Sequence, residues 1–213
     1  AAKAPEPAAA KAPEPAPAPA KDEAAVPAPA EPAAPALKTP ENLQAAYAAE
    51  TDAVARYNAF AEAAFAEKYK GVAVAFRAAA RAEDVHAKNI ADVITAQGGT
   101  PVAGTEKPEI KKTAENLKAA LAIDSKERDT VYPGYADAAK AEGIGAAERV
   151  FKGVAEAEGG FIKLLQKVDK SIDNWKRVEK SFWLCTTCGN VMVSKKNACE
   201  VCGTDPSAFE EIK

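Results

Sequence analysis

From Thr39 onwards the apolar positions recur three and four residues apart, the spacing of helices that each bury one face. Alanine fills most of these positions, so each inward face must be read from its local neighbours. Four helices are predicted. Helix A starts at Thr39-Pro40-Glu41, read as an N-cap, a proline at the first helical position and an acid in the first turn. It runs to about Lys70, with Gly71 marking the break. Helix B ends near Gln97, before Gly98-Gly99. Helix C runs from Thr113 to about Glu142-Gly143. Helix D follows and is expected to extend as far as Glu179. The pattern T-x-E-N-L-x-A-A opens helix A (TPENLQAA from Thr39) and again helix C (TAENLKAA from Thr113), so the middle of the chain is a duplicated helical hairpin.

The connections set the topology. A to B and C to D are tight, which makes antiparallel pairs. B to C is a Gly- and Pro-containing stretch over residues 98–112. A helix of about 27 residues is roughly 40 Å long, and about 15 extended residues reach roughly 50 Å. The link can therefore run the length of a bundle. Two hairpins joined by one long crossover make a ferritin-like four-helix bundle, so the fold class is mainly α.

Several acids lie on the apolar stripes. Glu50 has Ala46, Tyr47, Ala53, Val54 and Tyr57 around it, and Glu83 has Ala79, Ala80, His86, Ala87 and Ile90. Glu158 sits among Phe151, Val154, Phe161 and Ile162. Asp124 and Glu127 share a face near Ala120, Leu121 and Val131. The duplication relates Glu50 to Asp124 and, with one residue of slippage, Glu83-x-x-His86 to Glu158-x-x-Phe161. Any one of these acids could be a surface residue of an Ala/Glu/Lys helix. Five together at related positions call for positive charge, because buried uncompensated carboxylates cost several kcal/mol each. Cations are sparse on these faces, and metal ions would supply the charge. Carboxylates with an imidazole suit iron or manganese. His86 is the chain's one histidine.

Cys185-x-x-Cys188-Gly189 and Cys199-x-x-Cys202-Gly203 form two knuckles separated by ten residues. This is the pattern of an all-sulfur tetrahedral metal site, with two disulfides as the weaker alternative. Iron and zinc share the geometry. Trp183, Leu184 and Phe209 can pack a small core around it.

Length and charge narrow the picture. The 213 residues allow one substantial domain over residues 39–179, a small one over 180–213 and a tail over 1–38. The net charge of −3 is well mixed, with no basic stripe to suit nucleic acid. No apolar run reaches the length needed to cross a bilayer. The tail is nearly all Ala, Pro, Lys and Glu, a composition that favours an extended disordered tether to an assembly or envelope. A start at Ala1 without methionine fits an exported, periplasmic protein after signal cleavage. A shortened chain explains it as well, and similar spacers occur in cytoplasmic assemblies.

The segments E-T-D-A-V-A-R-Y from Glu50, A-E-D-V-H from Ala82, N-L-x-A-A…D-x-x-E…Y-P from Asn116 and R-V-F…A-x-A-E from Arg149, with the cysteine knuckles, resemble the rubrerythrins over residues 39–213. That resemblance implies a diiron bundle joined to a rubredoxin-like module. It implies iron ligation by Glu50, Glu83, His86, Glu127 and Glu158, with Tyr57 and Tyr132 bonded to the carboxylates. Two positions depart: Asp124 stands where the family has glutamate, and Phe161 where it has a second ligating histidine. Both departures fall on the second iron, so an asymmetric site is expected, one iron secure and the second weak or absent. Gly159 and Gly160 are expected to loosen the helix beside Glu158. The ten-residue spacer and Glu200 after the third cysteine also depart from the family pattern and keep a structural zinc ribbon in view.

The implied activity is peroxidase chemistry. A diiron centre reduces hydrogen peroxide, and the four-cysteine iron returns electrons from an external donor, in a homodimer that sets one subunit's module near the other's bundle. Two alternatives stand beside it. One is a non-catalytic or single-metal scaffold protein, which the loss of the histidine favours. The other is a ferroxidase, against which the cysteine module argues.

Overall fold

A computed structural model describes residues 38–176 and 180–213; the predicted tail, apart from Lys38, lies outside the described residues. Helix α1 (Thr39–Ala66) and helix α2 (Lys70–Ala96) form the first hairpin. Helix α3 (Thr113–Lys126), a π-helical turn (Glu127–Val131) and helix α4 (Tyr132–Ala141) together occupy the place of predicted helix C. Helix α5 (Gly145–Asp169) closes the bundle, and a 3-10 turn follows over Ile172–Trp175. The C-terminal segment is a three-stranded antiparallel sheet of order β2-β1-β3, with β1 Phe182–Cys185, β2 Val191–Met192 and β3 Phe209–Ile212. The described residues form one compact unit, and none of their helices is long and apolar enough to cross a membrane.

Several boundaries differ from the sequence expectations, each for a local reason. The first hairpin breaks at Lys68, not at Gly71. Lys68 takes a left-handed backbone (φ 67°), while its N–H and that of Tyr69 bond back to Phe65 O and Ala64 O. Gly71 instead lies buried in the first turn of α2. Helix D stops at Asp169, because the chain turns so that Trp175 stacks on Phe182 with ring centroids 6.2 Å apart.

Thr39 and Thr113 do not cap their own helices, and the N-cap positions fall to Lys38 and Lys112. The caps come from across the bundle. Glu142, just past α4, accepts from the N–H groups of Lys38 (2.8 Å) and Thr39 (3.0 Å). Glu67, just past α1, accepts from Thr113 N (3.3 Å) and Thr113 Oγ1 (3.1 Å). Each half of the duplication thus closes the start of the other.

The long crossover runs along α1 as expected. The Gln44 side-chain amide donates to Thr100 O, Gly104 N donates to Thr51 Oγ1 and Glu106 N donates to Asp52 Oδ1. The four-cysteine segment folds back along α2. Arg81 pairs with Glu210 at 3.0 Å and Asn89 Nδ2 donates to Thr187 O at 3.0 Å. Leu184, Val191 and Ile212 join the apolar core of the helices.

Candidate metal centres

The first centre lies midway along the bundle. Glu50 from α1 and Glu83 and His86 from α2 bring ligand atoms within 4.8 Å of one another, and all three are buried. His86 Nδ1 is 2.8 Å from Glu83 Oε2 and 3.8 Å from Glu50 Oε2. The i, i+3 spacing of Glu83 and His86 places both on one face of α2.

The second half contributes Asp124, Glu127 and Glu158. Asp124 and Glu158 are buried and Glu127 is half-buried on the π turn. These three are not drawn as tightly together as the His86 group. Two tyrosines bind the halves together: Tyr57 OH donates to Asp124 Oδ2, and Tyr132 OH donates to Glu50 Oε1.

The π turn explains the one-residue slip in the repeat. Glu50 to Tyr57 is seven residues, whereas Asp124 to Tyr132 is eight, and the wider turn absorbs the extra one. Tyr132 therefore meets Glu50 as Tyr57 meets Asp124. The turn also carries Glu127, which has no counterpart in the first half: Ala53 stands three residues after Glu50.

Charge is poorly balanced without a cation. Burial pushes Glu83 well above the usual carboxylate range, aided by the negative charge of Glu50. Burial likewise takes Asp124 up to about 7, Glu127 to about 8 and Glu158 to about 11, the last two with help from neighbouring carboxylates. Burial works on Glu50 too, but the hydrogen bond and charge of His86 hold it below its ordinary value. Two buried carboxylate oxygens, Asp124 Oδ1 and Glu158 Oε2, have no hydrogen-bond partner among the described residues. His86 Nε2 also lacks one, but it faces the cysteine module, and Nδ1 is the nitrogen turned towards the carboxylates. Buried carboxyls with little positive charge around them, and carboxylate oxygens without partners, call for a cation that would displace their protons, so the residues fit metal ions.

Sequence reasoning missed a cation here. Arg56 opposes the rise of both Asp124 and Glu127, and its own Nε is buried without a partner among the described residues. Arg56 precedes Tyr57, and since Tyr57 faces inward, that adjacency was the available signal. Phe161 is fully buried, with its ring centroid 6.3 Å from Tyr57 and 6.5 Å from His86. It fills with carbon the place where the duplication would set a second imidazole.

The second centre is the cysteine module. All four cysteines are free, and their sulfur atoms lie within 4.8 Å of one another. Cys185 Sγ is 3.6 Å from Cys202 Sγ, and Cys188 Sγ is 3.6 Å from Cys199 Sγ. Metal–sulfur bonds of about 2.3 Å give a tetrahedron with edges of about 3.8 Å, so this spacing suits a shared ion, and the disulfide alternative falls away. The two knuckles match. Gly189 N donates to Cys185 O at 2.8 Å and Gly203 N to Cys199 O at 2.9 Å, with φ of 82° and 73° at the glycines.

The two centres meet at one contact. A Cβ on Gly189 would overlap His86 Nε2, so the first knuckle rests directly on the imidazole edge. Gly160 makes the matching room on α5, where a Cβ would meet Asn190 Oδ1 and stand 2.7 Å from Val191 O. Helix α5 runs unbroken through Gly159 and Gly160. Gly160 thus has a packing role beyond the expected loosening, as the seat of the module. Asn190 reaches the other way as well, its Nδ2 lying 3.8 Å from Cys199 Sγ.

The comparisons agree with this architecture. The Rubrerythrin family profile matches residues 41–169. The chain is 35% identical over 185 residues to a rubrerythrin of Porphyromonas gingivalis, covering 83% of this chain and 90% of that protein. It is 34% identical over 191 residues to a putative rubrerythrin of Methanocaldococcus jannaschii, covering 83% and 93%. Among solved structures, fully reduced, all-ferrous nigerythrin superposes with a TM-score of 0.75 at 29% identity, covering 85% of this chain and 90% of that one. The chain belongs to the rubrerythrin family, as an iron protein with a diiron-type ferritin-like bundle and a four-cysteine metal site.

Proposed function

We propose that this protein reduces hydrogen peroxide to water at the bundle centre, with electrons supplied through iron in the four-cysteine module. The observation that carries this reading is the seat of Gly189 on His86. A redox-capable sulfur site placed against a bundle ligand has an evident use in electron delivery, whereas a ferroxidase has no need of it. The resemblance implies this approach across a dimer; here it forms within one chain.

In this reading Glu50, Glu83 and His86, with Asp124, Glu127 and Glu158 from the second half, would hold the metal ions. Iron at these positions would supply the two electrons that split hydrogen peroxide into two waters. The reaction also consumes two protons. Those protons would come from solvent, because Asp124 and Glu127 would give up their own on binding metal. Tyr57 and Tyr132 fix the Asp124 and Glu50 carboxylates, and the aromatic packing of Tyr57, Phe60, Phe76 and Phe161 excludes water from one side. Cys202 is the exposed cysteine of the module and gives an external donor its edge of contact. A homodimer, export with an Ala/Pro tether, and iron in preference to zinc at the cysteines belong to the same proposal. A cytoplasmic location and a zinc ribbon are the competing forms.

One observation favours a second reading, a single-metal binding protein without peroxidase activity: Phe161 cannot ligate. Anaerobic reduction followed by one equivalent of peroxide separates the two. The peroxidase reading expects the peroxide to be consumed with no oxygen released. Unconsumed peroxide sinks it and leaves the binding protein.

A further inference from the structure

The two cysteine knuckles repeat one backbone design. Asn190 and Thr204 each follow the knuckle glycine, and their carbonyls accept from Cys185 N and Cys199 N, both at 2.9 Å. Their own N–H groups turn back to Cys188 Sγ and Cys202 Sγ. The side chains break the match. Thr204 Oγ1 lies 3.0 Å from Cys202 Sγ, the exposed sulfur of its own knuckle. The Asn190 amide instead crosses to the other knuckle, where its Nδ2 lies 3.8 Å from the sulfur of buried Cys199. Asn190 is 4% exposed, so bulk water does not compete for that N–H. Helix α5 decides which way the amide faces. Asn190 Oδ1 occupies the space that a Cβ on Gly160 would take, which leaves the amide nitrogen for the sulfur.

A hydrogen bond to sulfur acts unequally on the two states of a four-cysteine iron. Reduction of ferric to ferrous iron adds one electron, makes and breaks no bond, and leaves more negative charge on the sulfurs. An N–H donor therefore stabilises the ferrous state more than the ferric. We propose that Asn190 sets the reduction potential of this centre, its side-chain N–H raising the potential through Cys199 while Gly160 of α5 holds the amide in place. Asn190 is a positioning residue in this account, since it acts through a cysteine and touches no substrate. With the bond in place the module takes an electron from an external donor more readily and releases it less readily. The inference rests on the reading that the cysteines hold iron for electron delivery, but not on turnover of peroxide.

The test uses the full-length chain, reconstituted anaerobically with iron(II) and titrated at equilibrium against redox dyes, with the ferric–sulfur absorption as the readout. Asn190→Leu fills the space and removes the donor. It is expected to shift the ratio of ferric to ferrous iron about tenfold towards ferric at a fixed potential, a fall of about 59 mV for one electron. Asn190→Val, which is smaller, carries the same expectation where leucine does not fit. The sign separates this role from a merely structural one. A loosened module admits water, which also stabilises the more charged ferrous state, and its potential would rise. A fall supports the proposal; an unchanged or raised potential overturns it and leaves the electron-delivery reading standing. A wild type that shows no ferric–sulfur absorption overturns both together. A failed peroxidase assay with a lowered potential in Asn190→Leu sinks the peroxidase reading alone.

Discussion

At the scale of single residues, the metal-free chain stores protons that a metal ion would displace. Asp124 ordinarily titrates near 3.8 but holds its proton to about 7, and Glu127 moves from 4.5 to about 8, burial being the main cause of both. Between those limits the folded chain binds more protons than the unfolded one, so stability falls as pH rises. Glu83 and Glu158 shift in the same direction. The metal-free protein is therefore expected to melt at a lower temperature at pH 8 than at pH 5. With metal bound the trend should flatten or reverse, because ligation releases those protons and strengthens as they leave. Thermal melts at both pH values, with and without metal, check this. A metal-free chain that grows more stable from pH 5 to pH 8 contradicts the description of the site.

At the scale of elements, the halves of the duplication hold one another shut. Glu67 caps α3 and Glu142 caps α1, each reaching out of the opposite hairpin. Glu67→Ala should cost about 1 kcal/mol, the usual worth of a helix cap, seen as a lower denaturation midpoint with an unchanged slope. Glu142→Ala should act in the same direction. An unmoved midpoint for Glu67→Ala would mean that these bonds carry no stability. The repeated octapeptide made the bundle, its crossover and the inward acids legible, since all three follow from local spacing. The caps were not legible, because they join positions about a hundred and about fifty residues apart. Lys68 hid the first hairpin's turn by adopting a left-handed backbone that its residue type rarely takes. The π turn did show in the sequence, but as an unexplained slip of one residue. Gly160 was read as a weakness because nothing within helix D reveals that Asn190 and Val191 lie against it.

At the scale of the molecule, the fold brings a sulfur site and a carboxylate–imidazole site together through one glycine and one ring. The path is short because β1 runs back along α2, held by the Arg81–Glu210 pair and by Asn89. If this contact serves electron delivery, the two centres must change oxidation state in sequence. The most direct measurement is rapid mixing of fully reduced, anaerobic protein with hydrogen peroxide, following the visible absorption of ferric iron at the four cysteines. The account predicts that this absorption returns as peroxide is consumed, as the bundle draws electrons from the module. Peroxide consumed while the cysteine site stays reduced, or a module without iron to report, would contradict it.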